Sequence, residues 1–210
     1  HEGFRQYSNA IAVAPGTGRP YFRNAEVLID FNNIIEARKL IEKGLEIDSN
    51  SITGQILLLK TLSGDEIKNR KSEFSAFRDK TPEAQKIIAQ KLIQNDPELG
   101  LEFLDFNNSK HFLLISQCFF QIGNFSDSLL FANKYISSNP REITGFLNGG
   151  WISFEMENLD EASNFFDMAL GIDQFSPEAI YGKGSVLKKK GEEYAPYQNM
   201  LSQIDKELVI

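Results

Sequence analysis

Three segments of this 210-residue chain recur at a fixed interval of 34 residues. They are GNFSDSLLFANKYISSNP from Gly123, ENLDEASNFFDMALGIDQ from Glu157 and GEEYAPYQNMLSQIDKEL from Gly191. A recurrence of that length with helical patterning marks a helix–turn–helix unit that buries its apolar face only by stacking on copies of itself. The register extends upstream of each segment. A first helix carries a bulky residue (Phe112, Phe146, Ile180), then a small or polar one four residues on (Ser116, Gly150, Gly184), then Phe119, Ser153 and Leu187. In the second helix a small residue recurs at Ser128 and Ala162, with Pro196 third, and Ala132, Phe166 and Met200 follow. Small residues at fixed places let two helix backbones approach, while bulky ones fill the gap to the next pair. Such a chain is all-α and presents a surface rather than a deep pocket.

An earlier segment, RPYFRNAEVLIDFNNIIEARKLIEKGLEIDSNS, fits the same template, with Tyr21, Ala25 and Leu28 in its first helix and Ala37, Ile41 and Gly44 in its second. The runs EARKLIEKGLEIDSN and DEASNFFDMALGID read like the second helix and exit turn of the tetratricopeptide repeat (TPR), and the chain resembles that family over roughly residues 18–50 and 109–208. The resemblance implies a right-handed α–α superhelix, a solenoid of antiparallel helix pairs near residues 20–47, 109–138, 142–172 and 176–208. Two departures stand out: Tyr135 replaces the small residue found at Gly44 and Ala169, and Pro196 replaces another.

Residues 1–19, ending in a Pro/Gly cluster, read as an N-terminal arm, and residues 20–210 as one helical domain with an irregular helical block at 51–108. Ala37 and Ser128 are 91 residues apart, which is not a multiple of 34, so one or two helix pairs in that block must be lengthened or non-standard. There GDEIKNRKSEFSAFRDK reads as a polar second helix, and TPEAQKIIAQKLIQND and PELGLEFLDF as two more. Helix starts are expected where a capping residue precedes proline, at Thr81-Pro82, Asp96-Pro97, Asn139-Pro140 and Ser176-Pro177.

Several functions are disfavoured. Net charge is −7, which argues against a nucleic-acid backbone as partner. The longest apolar runs, such as ILLL at 56–59, are far short of a membrane span. The chain opens with His1 and no Met, as at a processing boundary or a cloning remnant, and a soluble protein of cytoplasm or periplasm fits equally. The lone Cys118 excludes an internal disulfide and reads as a packed small hydrophobe. Histidine occurs only at positions 1 and 111, so no zinc-ligand spacing exists, and seven residues separate His111 from Cys118, about 10 Å along a helix axis. GKGSVLKKKG lacks the order of a phosphate-binding loop. Neither a catalytic pair, a metal nor a cofactor is expected, and the chain does not read as an enzyme.

In TPR proteins the first helices of successive repeats line a groove that receives an extended peptide or a partner helix. Carried over by register, the resemblance gives Lys110, Leu113, Gln117 and Gln121 in the first regular repeat, Thr144, Asn148, Trp151 and Glu155 in the second, and Glu178, Tyr181, Ser185 and Lys188 in the third. Asn148 and Trp151 lead this set, an amide that can bond a peptide backbone twice and an aromatic anchor. Glu155 and Glu178 imply a neutral or basic ligand. The carboxylate clamp of chaperone-tail receptors is absent, because its Lys, Asn, Asn, Lys and Arg places hold Leu113, Gln117, Asn148, Glu178 and Gly182. The resemblance implies a scaffold or adaptor for a protein or peptide. Alternatives are the interaction domain of a larger enzyme, such as a glycosyl- or sulfotransferase, and a self-associating assembly factor that forms homo-oligomers.

Overall fold

A computed structural model of the protein describes residues 16–75 and 81–204, so the expected arm lies outside the described residues except for its last few. The described residues are all-α, with helices packed against their neighbours in sequence. The chain divides into two compact units, His1–Leu99 and Gly100–Ile210.

The first unit contains α1 (Arg19–Asp30), α2 (Ile34–Ile47), α3 (Ile52–Thr61), α4 (Gly64–Asn69), α5 (Lys71–Ser75) and α6 (Pro82–Leu92); its boundary falls inside α7 (Pro97–Glu102). Helix α1 packs on α2 and α3, and α6 packs on α3 and α4. Phe22 of α1 is the hub of the first three. A methyl group on Gly44 of α2 or Gly54 of α3 would lie 2.5 Å from its ring, so only a bare backbone fits at either place. The segment expected to be one polar helix breaks instead into α4 and α5. Ile67 and Phe74 are the only large side chains buried along its described part, too few anchors to hold a long helix by packing. Ser63 and Glu66 form a reciprocal capping box at the start of α4. The Arg38 guanidinium of α2 then grips Glu66 at 2.7 and 3.2 Å and also donates to the Thr61 carbonyl, tying α2 to the α3–α4 corner.

The second unit contains a 3₁₀ turn (Ser109–His111) leading into α8 (Phe112–Ile122), then α9 (Phe125–Ser138), α10 (Ile143–Glu155), α11 (Leu159–Ile172), α12 (Pro177–Lys190) and α13 (Ala195–Ile204). Each helix packs on the next, and α10 also touches α8 and α12. Ser128, Ala132, Ala162, Phe166 and Ala169 are buried as the register requires. Phe166 is fully buried in a slot between two first helices, where methyl groups on Gly150 of α10 and Gly182 of α12 would lie 2.7 and 2.3 Å from its ring. Gly184, the small residue expected from register, is buried on the same helix. The last helix departs from expectation: Leu201 is fully buried while Met200 is exposed. Pro196 stands exposed in the first turn of α13, and the buried row of that helix is displaced by one residue. Of the four expected cap–proline starts, Asn139-Pro140 is not one. Asn139 closes α9, its side chain donating to the Tyr135 carbonyl, and α10 begins only at Ile143.

The repeat is clearest in its turns. Asn32, Gly123, Glu157 and Gly191 all have positive φ, at 56°, 82°, 62° and 73°, and the last three lie 34 residues apart. After each, the next N–H reaches back to the carbonyl five residues earlier: Asn33 to Leu28, Asn124 to Phe119, Asn158 to Ser153 and Glu192 to Leu187, all at 2.8–2.9 Å. This is the left-handed closure of a helix C-terminus, for which glycine is best suited. Glu157 is the member least suited to it, since a β-carbon in that conformation costs roughly 1–2 kcal/mol. Its ion pair with Lys189, 3.3 Å long and largely exposed, offsets little of that.

Two stability predictions follow from these contacts. Glu157→Gly should raise unfolding stability by about 0.5–1 kcal/mol, read as a higher urea midpoint, while Gly123→Ala should lower it by about 1 kcal/mol. An acid prediction concerns Glu66, whose carboxyl is lowered from 4.5 to about 2 by the Arg38 hydrogen bond first and the Ser63 backbone bond second. A depressed carboxylate stabilises the fold fully above its unfolded pKa, and this contribution is lost as pH falls from about 4.5 toward about 2. Urea midpoints measured across that window should fall less steeply for Arg38→Met than for the parent, with the two differing most at neutral pH.

Candidate functional site

The first helices α8, α10 and α12 of the second unit carry all the residues singled out by register except Lys110, which lies in the 3₁₀ turn before α8, and α10 is the centre of that face because it touches both others. Asn148 and Trp151 sit one turn apart on α10, each half-buried. They point in different directions energetically. Asn148 reaches back to α8, where its Nδ2 donates to Ser116 Oγ at 2.7 Å. Trp151 reaches forward to α12, where its Nε1 donates to Glu178 Oε1 at 3.1 Å and its ring lies 5.9 Å from that of Tyr181.

Each contact rests on something deeper. Ser116 is fully buried and its hydroxyl donates to the Ser128 carbonyl at 2.7 Å, while Ser128 Oγ donates to the Ser116 carbonyl at 2.8 Å. This reciprocal pair clips α8 to α9, and Asn148 adds α10 to it. Trp151 packs edge-on against Phe166 at 5.1 Å and Phe154 at 5.8 Å. Lys189 stands 4.7 Å from the Phe154 ring centre, a cation–π contact. Part of the binding capacity assigned to Asn148 and Trp151 is thus already used inside the fold. What remains outward is the Asn148 carbonyl oxygen, which has no partner among the described residues, and the open parts of the Trp151 and Tyr181 rings.

The other expected residues fall into two groups. Leu113, Gln117 and Ser185 are half-buried on α8 and α12, and the polar ones make no side-chain hydrogen bond among the described residues. Gln121, Thr144 and Glu155 are exposed on helices, and Lys110 is exposed in the 3₁₀ turn. Lys188 sits 5.6 Å from the Tyr194 ring. The sequence named Glu178 as a groove candidate and a nearby acid; that it would accept from Trp151 needed the α10–α12 contact. Lys183 went unmarked and is largely buried, donating to Ser163 Oγ at 2.6 Å and Asp167 Oδ2 at 2.5 Å across α11 and α12. The only available signal was a lysine amid small and apolar residues in AIYGKGSV.

The chemistry elsewhere is muted. Burial pushes the Cys118 thiol up to about 12, so it is protonated at neutral pH and is no nucleophile. His111 is buried, its Nδ1 accepting from the Asp105 N–H at 3.0 Å. Among the described residues no group of three His, Cys, Asp or Glu is placed to hold a metal ion, and no helix is long and apolar enough to cross a membrane. In the first unit two surface clefts of about 530 and 540 Å³ hold acids and bases that pair with each other, Arg23 with Glu26 at 3.0 Å and Arg70 with Glu73 at 2.6 Å.

No protein-family model matches the sequence, and no curated protein matches it. Solved structures do. The chain superposes on Cut9–Hcn1, described as an APC/C hetero-tetramer, with a TM-score of 0.66 at 11% identity, covering 99% of this chain and 44% of that one. It is similar to MamA (41-end) from Desulfovibrio magneticus RS-1, with a TM-score of 0.52 at 11% identity over 90% of this chain and 95% of that one. YrrB, described as a TPR protein with an unusual peptide-binding site, is 18% identical over 96% of this chain and 93% of that one, with a TM-score of 0.49. The chain has the TPR-like fold, as its 34-residue helix pairs and their turns require.

The buried polar clip makes a graded prediction. Ser116→Ala removes a donor to Ser128 and the acceptor of Asn148 at once and should cost about 1–3 kcal/mol. Asn148→Ala removes only the half-buried arm and should cost about 0.5–1.5 kcal/mol. Chemical denaturation of the two variants checks the order; equal losses would mean the clip is not the element joining these helices.

Proposed function

We propose that this protein is a non-enzymatic interaction scaffold whose second unit binds a peptide or partner segment along the α8–α10–α12 face. One observation carries the reading: Trp151, Tyr181 and Glu178 form a single aromatic–acidic cluster across two first helices. Beside it Leu113, Gln117 and Ser185 remain available to a ligand. An aromatic anchor held from behind by Phe166 is preorganised and loses little freedom on binding. The fold supports the same reading, since stacked helix pairs offer an extended face.

The ligand is basic. Gly100–Ile210 contains fifteen Asp and Glu against eight Lys and Arg, whereas His1–Leu99 contains fourteen of each, so the whole net charge of −7 belongs to the second unit. Such a field attracts a cationic segment and weakens its binding as salt screens it. The same charge makes nucleic acid an unfavourable partner.

Random peptides displayed on phage and selected against the protein should be enriched in Lys, Arg and aromatic residues. Selected peptides should bind the double variant Leu113→Lys, Ser185→Lys roughly tenfold more weakly or worse. Neither residue holds the fold by a polar bond, so the far-UV spectrum and melting should be unchanged. Binders that ignore both substitutions, or a selection with no basic bias, would sink this assignment.

A further inference from the structure

The outward side of α11 carries a row of large apolar side chains that the fold does not explain. Met168 is 54% exposed, Ile172 43%, and Phe175 in the exit turn 64%. Met168 and Ile172 are four residues apart and share one helix face. Gly171 lies beside them, and a methyl group built there would meet nothing within 4 Å. The repeat itself supplies the control. Thirty-four residues earlier, α9 and its exit turn place exposed Lys134, Ser138 and Arg141 at the same three register positions. On α2 the matching positions hold Lys43, Ile47 and Asn50, so only the middle one is apolar there. A repeat of this kind therefore stacks perfectly well with polar residues at these places, and the apolar row is particular to α11.

Its surroundings specify what covers it. Residues 159–176, the helix and its exit turn, contain Asp160, Glu161, Asp167 and Asp173 and no Lys or Arg; Lys190 and Lys183 of α12 pair with Asp160 and Asp167, which leaves Glu161 and Asp173, within a unit of net charge −7, to draw a cation. A partner must therefore bring an apolar row flanked by positive charge. A second copy of this unit would bring a second charge of −7 against the first, which opposes pairing of two such faces. We infer that the outward face of α11 is a second docking surface, which receives a basic amphipathic helix of another protein through Met168, Ile172 and Phe175. It lies on a second helix of the repeat, so it is separate from the first-helix face and does not depend on the function proposed for that face. With two faces of the unit engaged, the chain would join two partners rather than hold one.

The test uses a fluorescein-labelled synthetic helix of Leu and Lys, with Leu at i, i+3, i+4 and i+7, and a matched helix in which Glu replaces Lys. Fluorescence anisotropy should show the Leu/Lys helix binding the parent chain and the Leu/Glu helix failing to bind. The uncharged triple variant Met168→Ser, Ile172→Ser, Phe175→Ser should bind the Leu/Lys helix roughly tenfold or more weakly, with salt dependence retained. Parent and triple variant are compared in the Leu113→Lys, Ser185→Lys background, so that a basic peptide held by the first-helix face does not contribute and the loss reads the α11 face alone. Should the triple variant melt early, Phe175→Ser alone, in the turn, is expected to weaken binding roughly threefold. Equal binding by the triple variant overturns the inference, as does equal binding of the Leu/Glu helix. A parent dimer in light scattering that the triple variant dissolves would also overturn it, because a second copy would then be the occupant.

Discussion

The second unit depends on one aromatic ring entering a slot between two bare backbones. Phe166 is fully buried against Gly150 and Gly182, and any β-carbon at either position would fall inside its van der Waals envelope. That single contact holds α10, α11 and α12 together, and it fixes how far apart the two first helices stand. Trp151 lies edge-on to the same ring and spans to Tyr181 and Glu178, so the candidate surface inherits its spacing from this slot. The first unit uses the same device with the parts exchanged: there a first-helix residue, Phe22, meets Gly44 and Gly54. Core packing near crystal density leaves no slack for a methyl group at such places, which is why they read as glycine.

Where α8 meets α9 and α10, the same problem is solved with hydrogen bonds. Ser116 and Ser128 exchange hydroxyl-to-carbonyl bonds at full burial, and Asn148 extends the exchange to the next helix. Buried hydroxyls with satisfied partners are tolerated and set a fixed register between helices, whereas a single missing partner would leave a costly orphan. The electrostatics follow a similar division of labour. Polar contacts such as Arg38–Glu66 and Lys183–Asp167 lock particular helix pairs, while the second unit carries an excess of acid over base.

Much of this was legible in the residues. The interval from Gly123 to Glu157 to Gly191 located three turns that share one left-handed closure, even though the middle one is not glycine. Helix bounds in the regular part agree with the expected pairs within a residue or two, except where Asn139-Pro140 mimicked a helix start and at the expected end at 208, which lies outside the described residues. The place four residues after the bulky one in the first helix was read as small or polar, and Ser116, Gly150 and Gly184 there are all buried. What escaped was any feature set by rotation of a helix about its axis. The choice of Leu201 over Met200 turns on a shift of one residue that a repeating pattern cannot resolve. The short helices α4 and α5 escaped for a different reason, since the few apolar anchors there give no periodicity to read.

By itself, then, the sequence determined that this protein is a stack of helix pairs, because a 34-residue period with small residues at fixed places buries its apolar face in no other way. It also determined the acidity of the second unit, which is a matter of counting. Tertiary structure alone decided what the key side chains are free to do. Asn148 and Trp151 look alike in register, yet one is tied to Ser116 behind it and the other to Glu178 beside it. Tertiary structure also decided that Met168, Ile172 and Phe175 face solvent rather than a neighbour. Both outcomes depend on which helix lies across each residue, and contacts between residues some thirty positions apart are created only when the pairs stack.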